Sequence, residues 1–528
     1  MYVMKNTNFR LRTIEFIMIV IIAVYLLIPR MAICLDRTVT KTEFEGSSSL
    51  SIVNGYITEV FNAGGGNVYL PAGTSSRWVG HLQMGGRVNL IGAGSPSHPS
   101  YDGAMTTRGA DGKLGPLPTT VIQYQVSVIC IEVNIETNID YTKPVRISGI
   151  RFVSWRDSTN PGSFMDIRSA KDLRIDHCQI EGSGHMISMS NPYGVTNSTN
   201  GVIDHCNFIN PITLGGSDSL YYGVNTGSRT YVEDKPVGMA ANGDAIYIED
   251  CYFENPYHPV ASMGGGHYVL RYSTIRDTYA TSNGFSVDAH GPGFSFWPTK
   301  TLSSPYTAGG LTLNVASTTG FPDVASNSYV FIGSESKLIT GKTSNTLTIA
   351  SGLSNSYSAG TSVTTTRGGF VAEIYNNTIS SLASRNPLNQ NAIGLRAGKG
   401  IIFNNIFENH RHAVGIGNDP YTCTQGGLDH IWKTYIWNNT YTNIVPDTAG
   451  KNWINPGGCS STYIHPASSC SETGKEVYGM KDGTYGDTGC PMPGYVPYTY
   501  PHPLVSGAPP PVSGENPSPP KNLRIINP

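Results

Sequence analysis

A short apolar phrase returns along most of this chain: an aliphatic residue, two variable positions, a small polar residue or cysteine, and an apolar residue two places further on. It is seen in Ile175-Asp176-His177-Cys178-Gln179-Ile180, Ile203-Asp204-His205-Cys206-Asn207-Phe208, Ile248-Glu249-Asp250-Cys251-Tyr252-Phe253 and Ile374-Tyr375-Asn376-Asn377-Thr378-Ile379. Further copies run from Ile147 to Phe152, Leu270 to Ile275, Ile402 to Phe407 and Ile436 to Tyr441. Short apolar segments separated by turn formers predict strands, and a spacing of roughly 22 to 34 residues fits one turn of a coil of strands. The pattern predicts a β-solenoid in which equivalent residues stack in columns about 4.8 Å apart.

Two stretches depart from the repeat. Near the start, Ile52, Val53, Ile57 and Val60 recur at helical spacing over Ser48 to Ala63, which predicts an amphipathic helix capping the open end of the coil. From 302 to 366 the register breaks, and Leu311 to Val315, Tyr329 to Ile332 and Leu347 to Ile349 read as strands of a small inserted β-module.

The column formed by the fourth position of the phrase contains Cys178, Cys206, Cys251 and Ser273, then Asn377, Asn405 and Asn439. Stacked amides satisfy one another and thiols pack as small hydrophobes, so the column is read as structural. His177 and His205 beside it are read as solvated strand positions.

Composition narrows the function classes. Charged residues make up 14% of the 528-residue chain, against about 25% in an ordinary domain, and 60 Gly and 34 Pro signal many tight turns. A net charge of −2 without a basic cluster argues against nucleic acid as a partner. Lys5, Arg10 and Arg12 precede an apolar run from Phe16 to Ile28, which has the order of a secretory signal ending near Cys34 and leaves no stable membrane span after cleavage. The protein is expected to be secreted or at the cell surface. In such an oxidising place Cys423, Cys459, Cys470 and Cys490 predict one or two disulfides of undetermined pairing, the last three of these cysteines falling in C-terminal loops at 444–508. The tyrosine-rich run from Pro493 to Pro501 suits an extended strip covering apolar surface, or alternatively a platform for stacking sugars. A Pro-rich tail follows at 509–528.

Gly64-Gly65-Gly66, the strand Val68-Tyr69-Leu70-Pro71-Ala72-Gly73 and the strand Val88-Asn89-Leu90-Ile91-Gly92 resemble the first coils of the pectate-lyase-like superfamily of right-handed parallel β-helices. The resemblance covers about Asn62 to Asn443 apart from the insertion, and places the solenoid at 48–443. It implies an all-β right-handed parallel β-helix and a polysaccharide partner. It allows a calcium ion, although the calcium-binding acidic cluster and catalytic arginine of pectate lyases are not matched residue by residue, and no other cofactor or metal site is expected.

Candidate chemistry lies on the strand after the phrase. With Ile187, Val260, Phe285, Ile393 and Val414 taken as inward residues, His185, His258, Asn283, Asn391 and His412 share one column and Asp288 lies level with Arg396. β-Elimination on a uronate needs a base for the proton beside the carboxylate and positive charge for the developing enolate. Arg396 or Arg411 supplies the charge, and His290, His258 or His412 the base, with Asp288 orienting one of them. The expected catalytic set is Asp288, His290, Arg396 and His412, with His185, His258, Arg411 and Asn391 binding substrate. Hydrolysis needs two carboxyl groups at a defined separation, and Asp244 and Asp250 are only distant companions for Asp288. The leading expectation is a polysaccharide lyase; the alternative is a non-catalytic glycan-binding or adhesion protein.

Overall fold

The computed structural model describes residues 34–506 apart from a set of segments, of which the longest are 134–143, 155–162, 190–198, 211–221, 227–244, 279–286, 290–299, 383–390, 417–430, 444–453, 456–469 and 480–488. The candidate signal at 1–33 and the Pro-rich tail fall outside it.

The repeated phrase builds the expected parallel β-helix. Its first position stacks inward as one ladder on a twelve-stranded parallel sheet, in which Ile147, Ile175, Ile203, Ile248, Leu270, Ile374, Ile402 and Ile436 are register partners in turn. Its sixth position does the same on a second, ten-stranded sheet, from Phe152 through Ile180, Phe208, Phe253, Ile275, Ile379 and Phe407 to Tyr441. A third sheet, also ten-stranded, completes each coil. The inward ladders form one continuous apolar core running along the coil axis.

The corner between the first two sheets explains why a small residue follows two variable ones. The third position takes the left-handed conformation in His177, His205, Asp250, Tyr272, Asn376, Asn404 and Asn438, with φ between 51° and 58°. This turns the chain sharply, and the fourth side chain then lies inside the bend. Asn405 Oδ1 accepts from the backbone N–H of Asn377 at 3.1 Å and from its amide at 3.0 Å, and Asn405 Nδ2 donates to Asn439 Oδ1 and Ile374 O. In the earlier coils Cys206 and Cys251 direct their thiols to carbonyls two residues back and one coil below. His177 and His205 are therefore corner residues and not solvated strand positions. Each ring is held by the aspartate before it, at 2.8 and 3.0 Å, and the two rings stack 5.1 Å apart. The spacing of apolar residues could not show this, because a left-handed corner does not alter the inward pattern.

Helix Ser49–Asn62 turns Val53, Ile57 and Val60 into the core at the N-terminal end. The insertion forms a six-stranded antiparallel sheet with its own core, including Leu313, Val330, Ile339, Leu347 and Val363. The strand Glu335–Lys342, absent from the sequence reading, carries mostly polar residues and contributes Ile339 inward. Stacking continues across the insertion, since His267–Arg271 pairs directly with Val371–Tyr375.

The C-terminal segment leaves the last coil near Cys490, which is disulfide-bonded to Cys470, and runs back along the outer face of the first sheet. Tyr495 donates to Glu373, Arg271 donates to Tyr498 O and Thr499 O, His502 N donates to Glu249, and Arg174 donates to Leu504 O and Val505 O. This strap buries Tyr498 against Tyr247, so Tyr498 is not part of a sugar-stacking platform. Cys423 and Cys459 lie outside the described residues. Among the described residues no helix is long and apolar enough to cross a membrane.

Candidate functional site on the third sheet

On the third sheet the strands His185–Met189, Tyr222–Thr226, His258–Ser262, Val287–Ala289, Asn391–Leu395 and His412–Ile416 are successive neighbours. Their register differs from the sequence alignment at one strand. Val287, not Phe285, is the partner of Ile393, and Asp288 is level with Gly394 and not with Arg396. The alignment slipped by two residues, which preserves the inward and outward alternation and so left no trace in the hydrophobic pattern.

Asp288 and Arg396 nevertheless meet. The outward column runs Asp166, Ser188, Asn225, Ala261, Asp288, Gly394 and Gly415. Gly394 leaves the place beside Asp288 without a side chain, and Arg396, two residues on, brings its Nε to 3.4 Å from Asp288 Oδ1. The Arg396 backbone is tied down by its N–H to Ala289 O at 2.9 Å. On the other side His258 Nε2 stands 3.9 Å from Asp288 Oδ2, an ion-pair distance rather than a hydrogen bond. The Asp288 side chain is fully buried and that of His258 is 3% exposed, whereas that of Arg396 is 24% exposed, so Arg396 is the member of this triad that meets solvent.

A ring column flanks the triad. His185 packs on Tyr222 with centroids 4.5 Å apart, and Tyr222 packs on His258 at 5.0 Å. Burial lowers the basicity of His185, with the neighbouring His258 adding to the effect. The Tyr222 hydroxyl is pushed up to about 12, by burial first and then by the negative charge of Asp288. Tyr222 was missed in the sequence, although Tyr222-Gly223-Val224 places a ring two residues before an aliphatic residue, as His185-Met186-Ile187 and His258-Pro259-Val260 do.

The remaining predicted residues divide. Asn391 and His412 are register partners on the two coils after Asp288, and the Asn391 amide lies over Gly415, where a Cβ would sit 2.0 Å from it. Arg411 is exposed at the turn before the His412 strand. His290, Asn283 and Asp244 lie outside the described residues. Asp250 stands at the corner between the first and second sheets and accepts from Tyr500, so it is not a companion of Asp288. On the Asp288 column Asp166 is four coils away, about 19 Å, beyond the roughly 5–9.5 Å that paired carboxylates need for glycoside hydrolysis.

The surroundings of Asp288 do not fit a calcium ion. Calcium takes six to eight oxygen ligands, and here one carboxylate already faces a guanidinium. Among the described residues no group of three His, Cys, Asp or Glu side chains is arranged to hold a metal.

The coil order and the corner ladder are those of a parallel β-helix. No family model matches the chain, and no curated protein does. Solved structures do. A tailspike protein of E. coli bacteriophage HK620 in complex with hexasaccharide is similar at 12% identity and a TM-score of 0.32; the match covers 76% of this chain and 65% of the tailspike. An endo-xylogalacturonan hydrolase from Aspergillus tubingensis is similar at 11% identity and 0.32, with 81% and 97% covered. PfbA, a surface adhesin of Streptococcus pneumoniae, is similar at 12% identity and 0.32, with 75% and 87% covered. At this distance the likeness extends to the fold alone.

Proposed function

We propose that this chain is an exported polysaccharide lyase, acting on a uronate-containing glycan at the outer face of the third sheet. The observation that carries the reading is the buried Asp288 carboxylate held between His258 and the partly exposed Arg396 side chain. Arg396, fixed by Asp288, pairs with the uronate carboxylate and stabilises the negative charge that grows there as the neighbouring proton leaves. The base is His258, whose Nε2 faces Asp288, so that the other ring nitrogen takes the proton and the carboxylate stabilises the imidazolium formed. Tyr222, which keeps its proton at neutral pH, donates to the departing glycosidic oxygen. Electrons of the broken C–H bond form the double bond and the glycosidic bond breaks without water.

The second reading is a non-catalytic glycan-binding protein, favoured by the burial of His258, which restricts access to the base. Incubating the protein with polygalacturonate, alginate and hyaluronate, and following the ultraviolet absorbance of an unsaturated product, tests both. Arg396→Ala is expected to lower the initial rate on the order of 10²- to 10³-fold. Absence of unsaturated product from every polymer, with glycan binding intact, would overturn the lyase and leave the binding protein.

A further inference from the structure

A second groove lies on the outer face of the second sheet, away from Asp288. Its floor is two register columns, Thr274 and Thr378 in one, and Arg276, Ser380 and Glu408 in the other, with Ile406 next to Thr378 on the coil beyond and outside the lining. One wall is the turn Arg108–Gly112 of the hairpin Thr107–Arg108/Leu114–Gly115, and the space between has a volume of about 450 Å³, inside the range of about 300–1,000 Å³ usual for small-molecule sites.

The wall is fixed in place. Arg108 donates to Gly112 O at 2.9 Å within the turn and to Asp250 O at 2.8 Å on the solenoid corner. Asn207 clamps the other hairpin strand, accepting from Leu114 N at 3.1 Å and donating to Leu114 O at 2.8 Å. Gly112, at φ +90°, rests directly on Thr274, where a Cβ would come within 2.6 Å of the threonine methyl. A hairpin tied down by these contacts bounds a permanent groove.

The chemistry of the floor selects its occupant. Arg276 and Glu408 stand one coil to either side of Ser380, so a cation and an anion are separated by about 10 Å of axis with only a short hydroxyl between them. A polyanion would meet Glu408 and Asp111, and a polycation would meet Arg276 and Arg108. A ligand of many hydroxyl groups suits all of them, since each hydroxyl donates to Glu408 or accepts from Arg276 and does either with Thr274, Thr378 and Ser380. Ile406, 41% exposed beside them, offers an apolar patch to the C–H face of a sugar ring. We infer that this groove is a second saccharide-binding site, which takes a short stretch of oligosaccharide along the coil axis, independently of the third sheet.

The test uses the full chain with the uncharged hexamers cellohexaose, xylohexaose and N-acetylchitohexaose, which carry no carboxylate for the third-sheet site, by saturation-transfer NMR and calorimetry. At least one hexamer is expected to bind. Ser380→Trp, which fills the slot, is expected to weaken that binding at least tenfold and Arg276→Ala several-fold, while Arg396→Ala leaves it unchanged. If Ser380→Trp fails to fold by circular dichroism, Arg276→Ala and Glu408→Ala decide. The inference is overturned if no hexamer binds, or if binding survives the groove variants. Loss on Arg396→Ala alone would equally overturn it, by assigning all saccharide binding to the third sheet.

Discussion

Arg271→Met tests how the C-terminal strap is held. The Arg271 side chain is fully buried, with Nη2 at 2.6 Å and Nε at 2.8 Å from Glu249 Oε2. The same guanidinium donates to Tyr498 O at 2.7 Å, Thr499 O at 2.8 Å and Tyr375 Oη at 3.1 Å, and lies 5.0 and 5.2 Å from the ring centroids of Tyr247 and Tyr500. Methionine keeps much of the volume and removes every donor. It leaves the buried Glu249 carboxylate with the His502 N–H, and removing one partner of such a pair costs about 3–5 kcal/mol. Most of that cost falls on strap docking, because two of the lost acceptors belong to the strap. If cleavage follows the population of undocked strap, chymotryptic cutting after Tyr495 and Tyr498 should accelerate on the order of 10²- to 10³-fold. Adding Glu249→Gln removes the stranded charge and should recover part of the loss. A cutting rate within about threefold of the parent, with no recovery in the double variant, would refute the assignment of Arg271 as the clasp.

His502 predicts a pH dependence of the same strap. Burial, reinforced by the Arg271 charge, lowers its pKa from 6.5 to about 3, and its Nδ1 accepts from Leu504 N, so the docked ring is neutral. For a depressed base the contribution to docking is complete above pH 6.5 and is lost by about 1.4 kcal/mol per unit as pH falls toward 3; amide hydrogen exchange of the strap, corrected for the intrinsic pH dependence of exchange, should show protection lost accordingly across that range, and His502→Gln should flatten the dependence. Asn405→Ala deprives the buried Asn377 N–H of its acceptor and breaks the amide ladder, which should cost about 1–3 kcal/mol in urea unfolding, whereas Asn404→Gly, which keeps the left-handed corner and lies exposed outside that ladder, should cost less.

The architecture was legible because the solenoid repeats a local rule. Each coil must bury one aliphatic residue on the first sheet and one apolar residue on the second, with a small side chain between, and Ile175, Cys178 and Ile180 state that rule in six residues. The ladder from Cys178 to Asn439 followed for the same reason. Stacking converts a one-dimensional spacing into a column.

Three features were settled only in three dimensions. The register of Val287–Ala289 was one, since a slip of two residues keeps every side chain on its proper face, and Asp288 meets Arg396 from a position level with Gly394. The strap was another: Arg271 and Tyr498 are 227 residues apart, and no periodicity links them. The groove beside Ser380 was the third, because it needs a hairpin from residues 107–115 laid over coils that follow much later. The amino-acid sequence by itself determined the coil, which is built from contacts between each residue and its equivalent in the next turn. Everything that places charges and hydroxyls from distant coils beside one another was decided by tertiary structure, because those contacts depend on how many coils intervene and on which loops fold back over them.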